Sequence, residues 1–565
     1  MSRPQGGNDS RGTRSGIAYA FRWLILLPAL ASGQLQAAEC RPWVDSKTQA
    51  LTFGDIAVNV GDLFDPAQAQ ERHGIHRLGN ALHFRSRETT ILQALPFRRG
   101  DDFSLALIGE GERALRARQF LRDARIVPTR QCGNEVDVEV RTVDNWTLTP
   151  SISYGTAGGV SRYIVELQDL NVLGLGKELK LRLQKIGGER ETIFVYGDNN
   201  VFGSQHRLRF ELSDADDGKR YLLKTGLPFN SINSLFSWWV TVRVEDESLA
   251  LAELSEEGSE QDSVAGSAST SSVDPEATVN SGLVDLHGAR KMSNSTNSFL
   301  RLGLGLRFSQ QETRLPDDAA TPATGFDYEE HYPYLYAHWK QLNWVQRKNY
   351  LAMGFLEDID LGYSARFEAG FILGALGNDY EGLRLSSTLT RGWQFSEAAL
   401  HNVSLQLVSY LDDREQARHS EIARYRYFRW LTPIDQIELQ VVAGSRRSYS
   451  PLHDFRLGGE AGLKGYPKDY QQGNERVVAV AEYRHVTRWN PYRLAHIGFT
   501  GFAEAGRVTS DDRTDDGIAD IGIGLVLAPT RSSQFNIMRI DIAVPLVSGE
   551  GVDDYQLFVG TRLVY

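Results

Sequence analysis

Strict alternation of apolar and polar residues recurs along the chain after residue 142. Leu179, Leu181 and Leu183 alternate with Lys180, Arg182 and Gln184, and Leu208, Phe210 and Leu212 with Arg209 and Glu211. Leu300, Leu302, Leu304, Leu306 and Phe308 alternate with Arg301, Gly303, Gly305 and Arg307. Ile437, Leu439 and Val441 alternate with Glu438 and Gln440, and Met538, Ile540, Ile542 and Val544 with Arg539, Asp541 and Ala543. A period of two puts each apolar set on one face of a strand. Several runs reach the ~9–11 residues of a membrane-crossing strand. Backbone groups in lipid must all be paired, so such strands have to close on themselves. The pattern predicts an all-β transmembrane β-barrel over residues 143–565. An allowance of roughly 26 residues per strand and connection gives about 16 antiparallel strands.

The region before the barrel follows a different pattern. Ile56, Val58 and Val60 alternate as a strand, a short helix runs near Arg87 to Ala94 and stops at Pro96, and a longer helix follows Asp101-Asp102. Leu105, Ile108, Leu115 and Phe120 fall near one face of that helix. Ala124 to Pro128 and Val136-Val138-Val140 read as two strands joined by a turn at Cys132-Gly133-Asn134. The order β-α-α-β-β over residues 53–142 is long enough for a self-contained α/β domain. Ahead of it, Arg3, Arg11, Arg14 and Arg22 precede the apolar run Trp23 to Ala31 and the small residues Ala37 and Ala38, the order of a secretory signal peptide over 1–38. Glu39 before Cys40 argues against lipid acylation, and 39–52 is a short N-terminal segment. In an oxidising compartment Cys40 and Cys132 either pair or stay free; the sequence leaves both open.

Composition sharpens this picture. A mean hydropathy of -0.34 suits a barrel with a polar lumen and excludes a bundle of spanning helices. The net charge of -11 gives no support for nucleic-acid binding. Residues 246–296 are acidic and then rich in Ser, Thr and Ala, and read as a low-complexity loop outside the cell. Gly174-Leu175-Gly176-Lys177-Glu178 lacks the spacing and hydroxyl of a phosphate loop, and no Gly-x-Ser-x-Gly elbow occurs. Asp512, Asp515 and Asp516 read as a solvated acidic turn. With no catalytic constellation, no enzyme activity, cofactor or metal is expected.

Two stretches near the C-terminus carry the most specific signal. Phe455-Arg456-Leu457-Gly458-Gly459 leads into Leu463-Lys464-Gly465-Tyr466; beyond a strand with Glu482 and Arg484 comes Phe502-Ala503-Glu504-Ala505-Gly506. Together these resemble the superfamily of outer-membrane assembly and two-partner secretion barrels that includes BamA, TamA and FhaC. The family has Val/Ile-Arg-Gly-Phe/Tyr on a loop folded into the lumen and Phe-x-Asp-x-Gly on the inner wall. Here Lys464 stands for the Arg and Glu504 for the Asp. Residues 53–142 resemble a POTRA domain, the family's periplasmic module, through Leu82 to Arg87, Leu121 to Ile126 and Val136 to Val140. Only one such domain fits, where the best-known relatives have two to five. The chain ends on Leu563-Val564-Tyr565, as such barrels end on an aromatic that marks them for insertion.

The resemblance implies a monomeric barrel in the lipid of the bacterial outer membrane, with its POTRA domain in the periplasm. It implies an extended polypeptide client, captured by the module through an open sheet edge and then inserted or passed outward, with periplasmic accessory proteins as further partners. A Lys464–Glu504 contact would pin the loop to the wall, with Glu482 and Arg484 as lumen charges. The alternative is a passive or substrate-specific pore for solute or lipid that inherited these motifs.

Overall fold

The computed structural model describes residues 40–561, apart from 46–49, 65–73, 158–159, 251–275, 294, 296, 315–326, 413–417, 448–454, 460–461, 511–515 and 532–536. The expected signal peptide, Asp512, Asp515, Leu563 and Tyr565 lie outside the described residues.

The N-terminal module is built from β1 (Cys40–Pro42), β2 (Thr52–Gly61), α1 (Gly74–Leu82), α2 (Glu88–Ala94), α3 (Leu105–Arg116), β3 (Leu121–Cys132) and β4 (Glu135–Asp144). Its sheet runs β1-β3-β4-β2, with β2 parallel to β4 and the other pairs antiparallel. The alternating valines of β4 reach inward: Val138 and Val140 pack with Phe53, Ile91, Leu115, Leu121 and Ile126, and Phe53 stacks on Phe97 at 4.0 Å. Ser104 caps α3 by accepting the Leu107 N–H at 3.1 Å. Ile108, Leu115 and Phe120 are buried as expected, but Leu105, one residue into the helix, is exposed. Two features add to the expected module: the helix α1, which was not foreseen, and the pairing of Cys40–Pro42, within the N-terminal segment 39–52, with the end of β3. The Sγ atoms of Cys40 and Cys132 are joined at 2.00 Å, tying β1 to that strand.

From Leu148–Ala157 to Gln556–Thr561 the chain forms one closed barrel of neighbouring antiparallel strands. Among the described residues it has twenty strands, which corrects the expected sixteen. The allowance per strand was too generous, since many hairpins turn within two residues, as at 187–188, 216–217 and 397–398. The expected loop 246–296 is also shorter. Phe236–Ala250 and Glu276–Lys291 are strands paired from Phe236↔Arg290 to Ala250↔Glu276. Polar lumen positions hid them: Asp285 bonds Arg307 and Tyr334 inside, while Val284 and Leu286 face out.

The two faces of the wall are chemically opposite. Leu181, Leu304 and Ile523 are 46%, 66% and 69% exposed on the outer surface. Between them, inward side chains pair across strands: Arg182 with Glu166 at 2.6 Å and Arg384 with Glu368 at 2.9 Å. An apolar exterior around a charged interior is the arrangement of a membrane-spanning barrel. The end near the module is called proximal below, the other end distal.

A charge on the outer belt should be costly. Leu304→Arg is expected to lower unfolding free energy in lipid vesicles by about 2–4 kcal/mol if this position lies near mid-bilayer. An unchanged urea midpoint would contradict the outward assignment.

Candidate functional site

At the distal end, the connection between the strands Asp435–Arg447 and Glu475–Val486 folds back into the lumen. Its tip is Leu463-Lys464-Gly465-Tyr466, and Leu463 and Tyr466 are fully buried. The Lys464 ammonium pairs with a Glu504 carboxylate oxygen, and the Lys464 backbone N–H donates to the other at 2.9 Å. Phe502 lies under the same ammonium, 4.1 Å from ring centroid to Nζ. A Cβ on Gly506 would meet Leu463 Cδ1 at 3.0 Å, so the absent side chain gives Leu463 its seat. The alternation of the strand Ala495–Thr509 presents Phe502, Glu504 and Gly506 on one face, and all three touch the tip.

The next strand completes the seat. Asp520 accepts the Gly465 N–H at 2.8 Å, and a Cβ on Gly465 would lie 2.8 Å from Asp520 Cβ and 3.1 Å from Pro545 N. The Tyr466 hydroxyl donates to Ala519 O at 2.8 Å and lies 3.3 Å from the Val547 N–H. The tip is thus held by one buried ion pair and several hydrogen bonds to three wall segments. Asp520 was not anticipated, because nothing in its local pattern distinguishes it from other lumen acids.

Glu482 and Arg484 also face the lumen, but they sit in a separate network and do not touch the tip. Arg484 bonds Glu482 at 2.8 Å, and Arg539 bridges Glu482 at 2.5 Å and Asp541 at 3.1 Å. Leu557, in the expected C-terminal signal strand, faces outward.

At the proximal end the expected module and an unforeseen hairpin meet the barrel. The module docks on turns from much of the barrel's rim. Gly174 O accepts the Arg87 N–H at 2.9 Å and the Thr90 hydroxyl at 2.8 Å. Asn171 Nδ2 donates to Ser86 Oγ at 2.9 Å, and Asn200 Nδ2 donates to Gln93 O at 3.0 Å. Glu110 accepts the Ile232 N–H at 2.6 Å, and His76 Nε2 lies 2.9 Å from Tyr492 O.

A signal for two of these turns was present. Asp169-Leu170-Asn171-Val172-Leu173-Gly174 and Asp198-Asn199-Asn200-Val201-Phe202-Gly203 share the pattern Asp-x-Asn-Val-apolar-Gly. In both, the Asp accepts the Asn N–H at 2.9 Å, and the apolar residue and the Gly have positive φ. Gly174 at φ +76 has no room for a Cβ, which would fall 2.2 Å from Arg85 O. The Gly174–Lys177 stretch is a docking turn.

A second element enters the proximal mouth. Trp344–Lys348 and Leu356–Asp360 form a hairpin between the wall strands Tyr328–Gln341 and Tyr363–Ile372. Its tip reaches the inner wall, where Met353 is buried with Val486, Val526, Ala528 and Ile537. The tip is shaped from within: Glu357 accepts the N–H groups of Tyr350 at 2.9 Å, Leu351 at 3.0 Å and Ala352 at 3.1 Å. The module grips the base. Arg116 donates to both Asp358 oxygens at 2.7 and 3.0 Å, and Arg113 stacks 5.1 Å from the Trp344 ring centroid. Burial works against the Arg116 charge, but the Asp358 bonds outweigh it and hold its pKa above the ordinary arginine value.

Arg116 also blunts one edge of the module's sheet. Its Nη1 donates to Ala124 O at 2.9 Å, and Glu112 accepts the Ile126 N–H at 2.9 Å. β1 covers the end of the same strand. The opposite edge differs: among the described residues no backbone pairs with the outer side of β2 from Ile56 to Gly61.

No family model matches the chain, and no curated protein matches it. Among solved structures it is similar to CdiB from Acinetobacter baumannii (12% identity, 91% of this chain and 73% of that one, TM-score 0.46). It is also similar to BamA from Haemophilus ducreyi lacking POTRA domains 1–3 (12%, 93% and 89%, 0.36) and to CdiB from Escherichia coli (11%, 95% and 92%, 0.39). Likeness at this level carries no functional argument, which rests on the geometry above.

Two substitutions probe the two ends. Lys464→Ala strands a fully buried carboxylate, so unfolding free energy should fall by about 3–5 kcal/mol, with most of it kept in Lys464→Arg. An unchanged denaturation midpoint in Lys464→Ala would show that the pair holds nothing. Arg116→Ala should free the hairpin and raise trypsin cleavage after Arg347 and Lys348 about tenfold, matching about 1.4 kcal/mol of local opening. Equal cleavage rates would contradict the grip.

Proposed function

We propose that the chain is an outer-membrane barrel that moves an extended polypeptide client into or across the membrane, with its single POTRA-like module in the periplasm. One observation carries this: a sheet edge left unpaired on β2 among the described residues, while the other edge is capped, belongs to a module docked on the barrel's proximal rim. An unpaired strand offers N–H and C=O groups at the spacing of an extended chain, which can add as a further strand. Asp55, Ala57 and Asn59 point to solvent along this edge, so a client would find it accessible. Captured there, it would be held on the module that docks on the barrel's rim.

The tip Leu463–Tyr466 acts in this scheme as a distal latch and the hairpin Trp344–Asp360 as a proximal one. Both occupy the lumen in the resting protein. This favours regulated passage over the alternative of a steadily open solute or lipid pore. The barrel acts as a monomer, and periplasmic accessory proteins would deliver the client. The motifs Leu463-Lys464-Gly465-Tyr466 and Phe502-Ala503-Glu504-Ala505-Gly506 support a role beside the assembly and secretion barrels they resemble.

A photo-reactive amino acid at Asn59, on the open edge, tests the capture step. In living cells it should form adducts with exported polypeptides still in extended form, while the same group at Arg125 on the capped strand should form few. Equal adduct yields at both sites, or none at Asn59, would overturn capture at β2.

A further inference from the structure

A cavity of about 380 Å³ lies where the module meets the barrel rim. Module residues Ala114, Ala117, Arg118 and Phe120 line one side, and Arg207 and Phe229 of the barrel line the other. Two cations therefore face one small space from two separate bodies of the fold.

Among the described residues no carboxylate pairs with Arg118 or with Arg207. Glu178 also lines the cavity, but its carboxylate is engaged elsewhere, by Arg209 at 3.2 Å and by Gln168 Nε2 at 3.2 Å. The Arg207 guanidinium donates to Asn230 Oδ1 at 3.2 Å, and its buried Nε has no hydrogen-bond partner. Burial pushes the Arg118 pKa down to about 10, and the like charge of Arg207 adds to the shift. This contrasts with the rest of the junction, where Arg116 meets Asp358 and Glu112. Leaving two guanidinium groups desolvated and mutually repelling is unfavourable unless an anion enters between them.

We propose that this cavity is an oxyanion site, formed jointly by Arg118 and Arg207, that takes a carboxylate of an extended polypeptide. The inference rests on the proposed polypeptide client and adds where one of its charged groups is held. Two guanidinium forks can donate to both oxygens of a carboxylate at once. Phe120, Phe229 and the two alanines give apolar contact for the residue that carries it. The site lies between the module and the lumen wall, so occupancy would station the client at the mouth.

The test uses the purified full chain in detergent and a fluorescent extended hexapeptide without acidic side chains, made with a free C-terminal carboxylate or a C-terminal amide. The acid form should bind about tenfold more tightly than the amide. That preference should vanish in Arg118→Gln and in Arg207→Gln and persist in Arg118→Lys, with all variants keeping the heat-modifiable gel mobility of a folded barrel. Equal binding of acid and amide in the unaltered chain would overturn the site, as would a preference that survives both glutamine variants. Where acid and amide bind equally, inorganic phosphate that binds the unaltered chain and is lost in both glutamine variants would assign the cavity to a free anion and sink the polypeptide carboxylate. Amide binding, read on its own, reports whether peptide capture exists at all, so the two proposals fail separately.

Discussion

Lipid offers no hydrogen bonds to a backbone, and every other feature of this molecule follows from that. Each wall strand must satisfy its N–H and C=O groups through its neighbours, so the sheet closes and has no edge. Closure then divides the side chains in two. Those at one parity meet lipid and are apolar; those at the other are enclosed, where charges such as Arg307 can find Asp285 and Glu368. The enclosed, partly desolvated interior is what makes a single pair such as Lys464–Glu504 able to hold a loop, since a charge left alone there is costly.

The same logic explains the contrast between the two sheets. The barrel abolishes its edges, whereas the module has two and treats them differently. The β3 edge is covered by β1 and by the Glu112 and Arg116 side chains, which mimic a partner strand. The β2 edge is left unpaired from Ile56 to Gly61 among the described residues. Arg116 serves the capped edge and the hairpin together, so the strength of its bonds couples the module's sheet to the element inserted in the mouth.

Much of the wall was legible because a period of two survives any strand number: the runs at Leu300–Phe308 and Met538–Val544 read correctly for face. Number was not legible, since strand count depends on connection length, and two-residue turns leave little trace. Glu276–Lys291 was misread as loop because lumen positions accept Ser, Asp and His, which also mark low complexity. At the latch, the residue types Lys464, Gly465, Phe502, Glu504 and Gly506 could be singled out by motif. Asp520 and the Tyr466 hydroxyl contacts depend on which wall segments the tip meets, a matter of three-dimensional register. The hairpin at 344–360 was invisible for a related reason. Its short strands carry no strong alternation, and Met353 is apolar without periodic neighbours.

The central claim is that a wide barrel rests closed at both ends, by a distal tip latched to the inner wall and a proximal hairpin held under the docked module. Single-channel recording of the purified chain in planar bilayers addresses it most directly. The account predicts long silent periods broken by brief openings. A steady, large conductance at low voltage would mean the lumen is open at rest, and the account of two closures would be wrong.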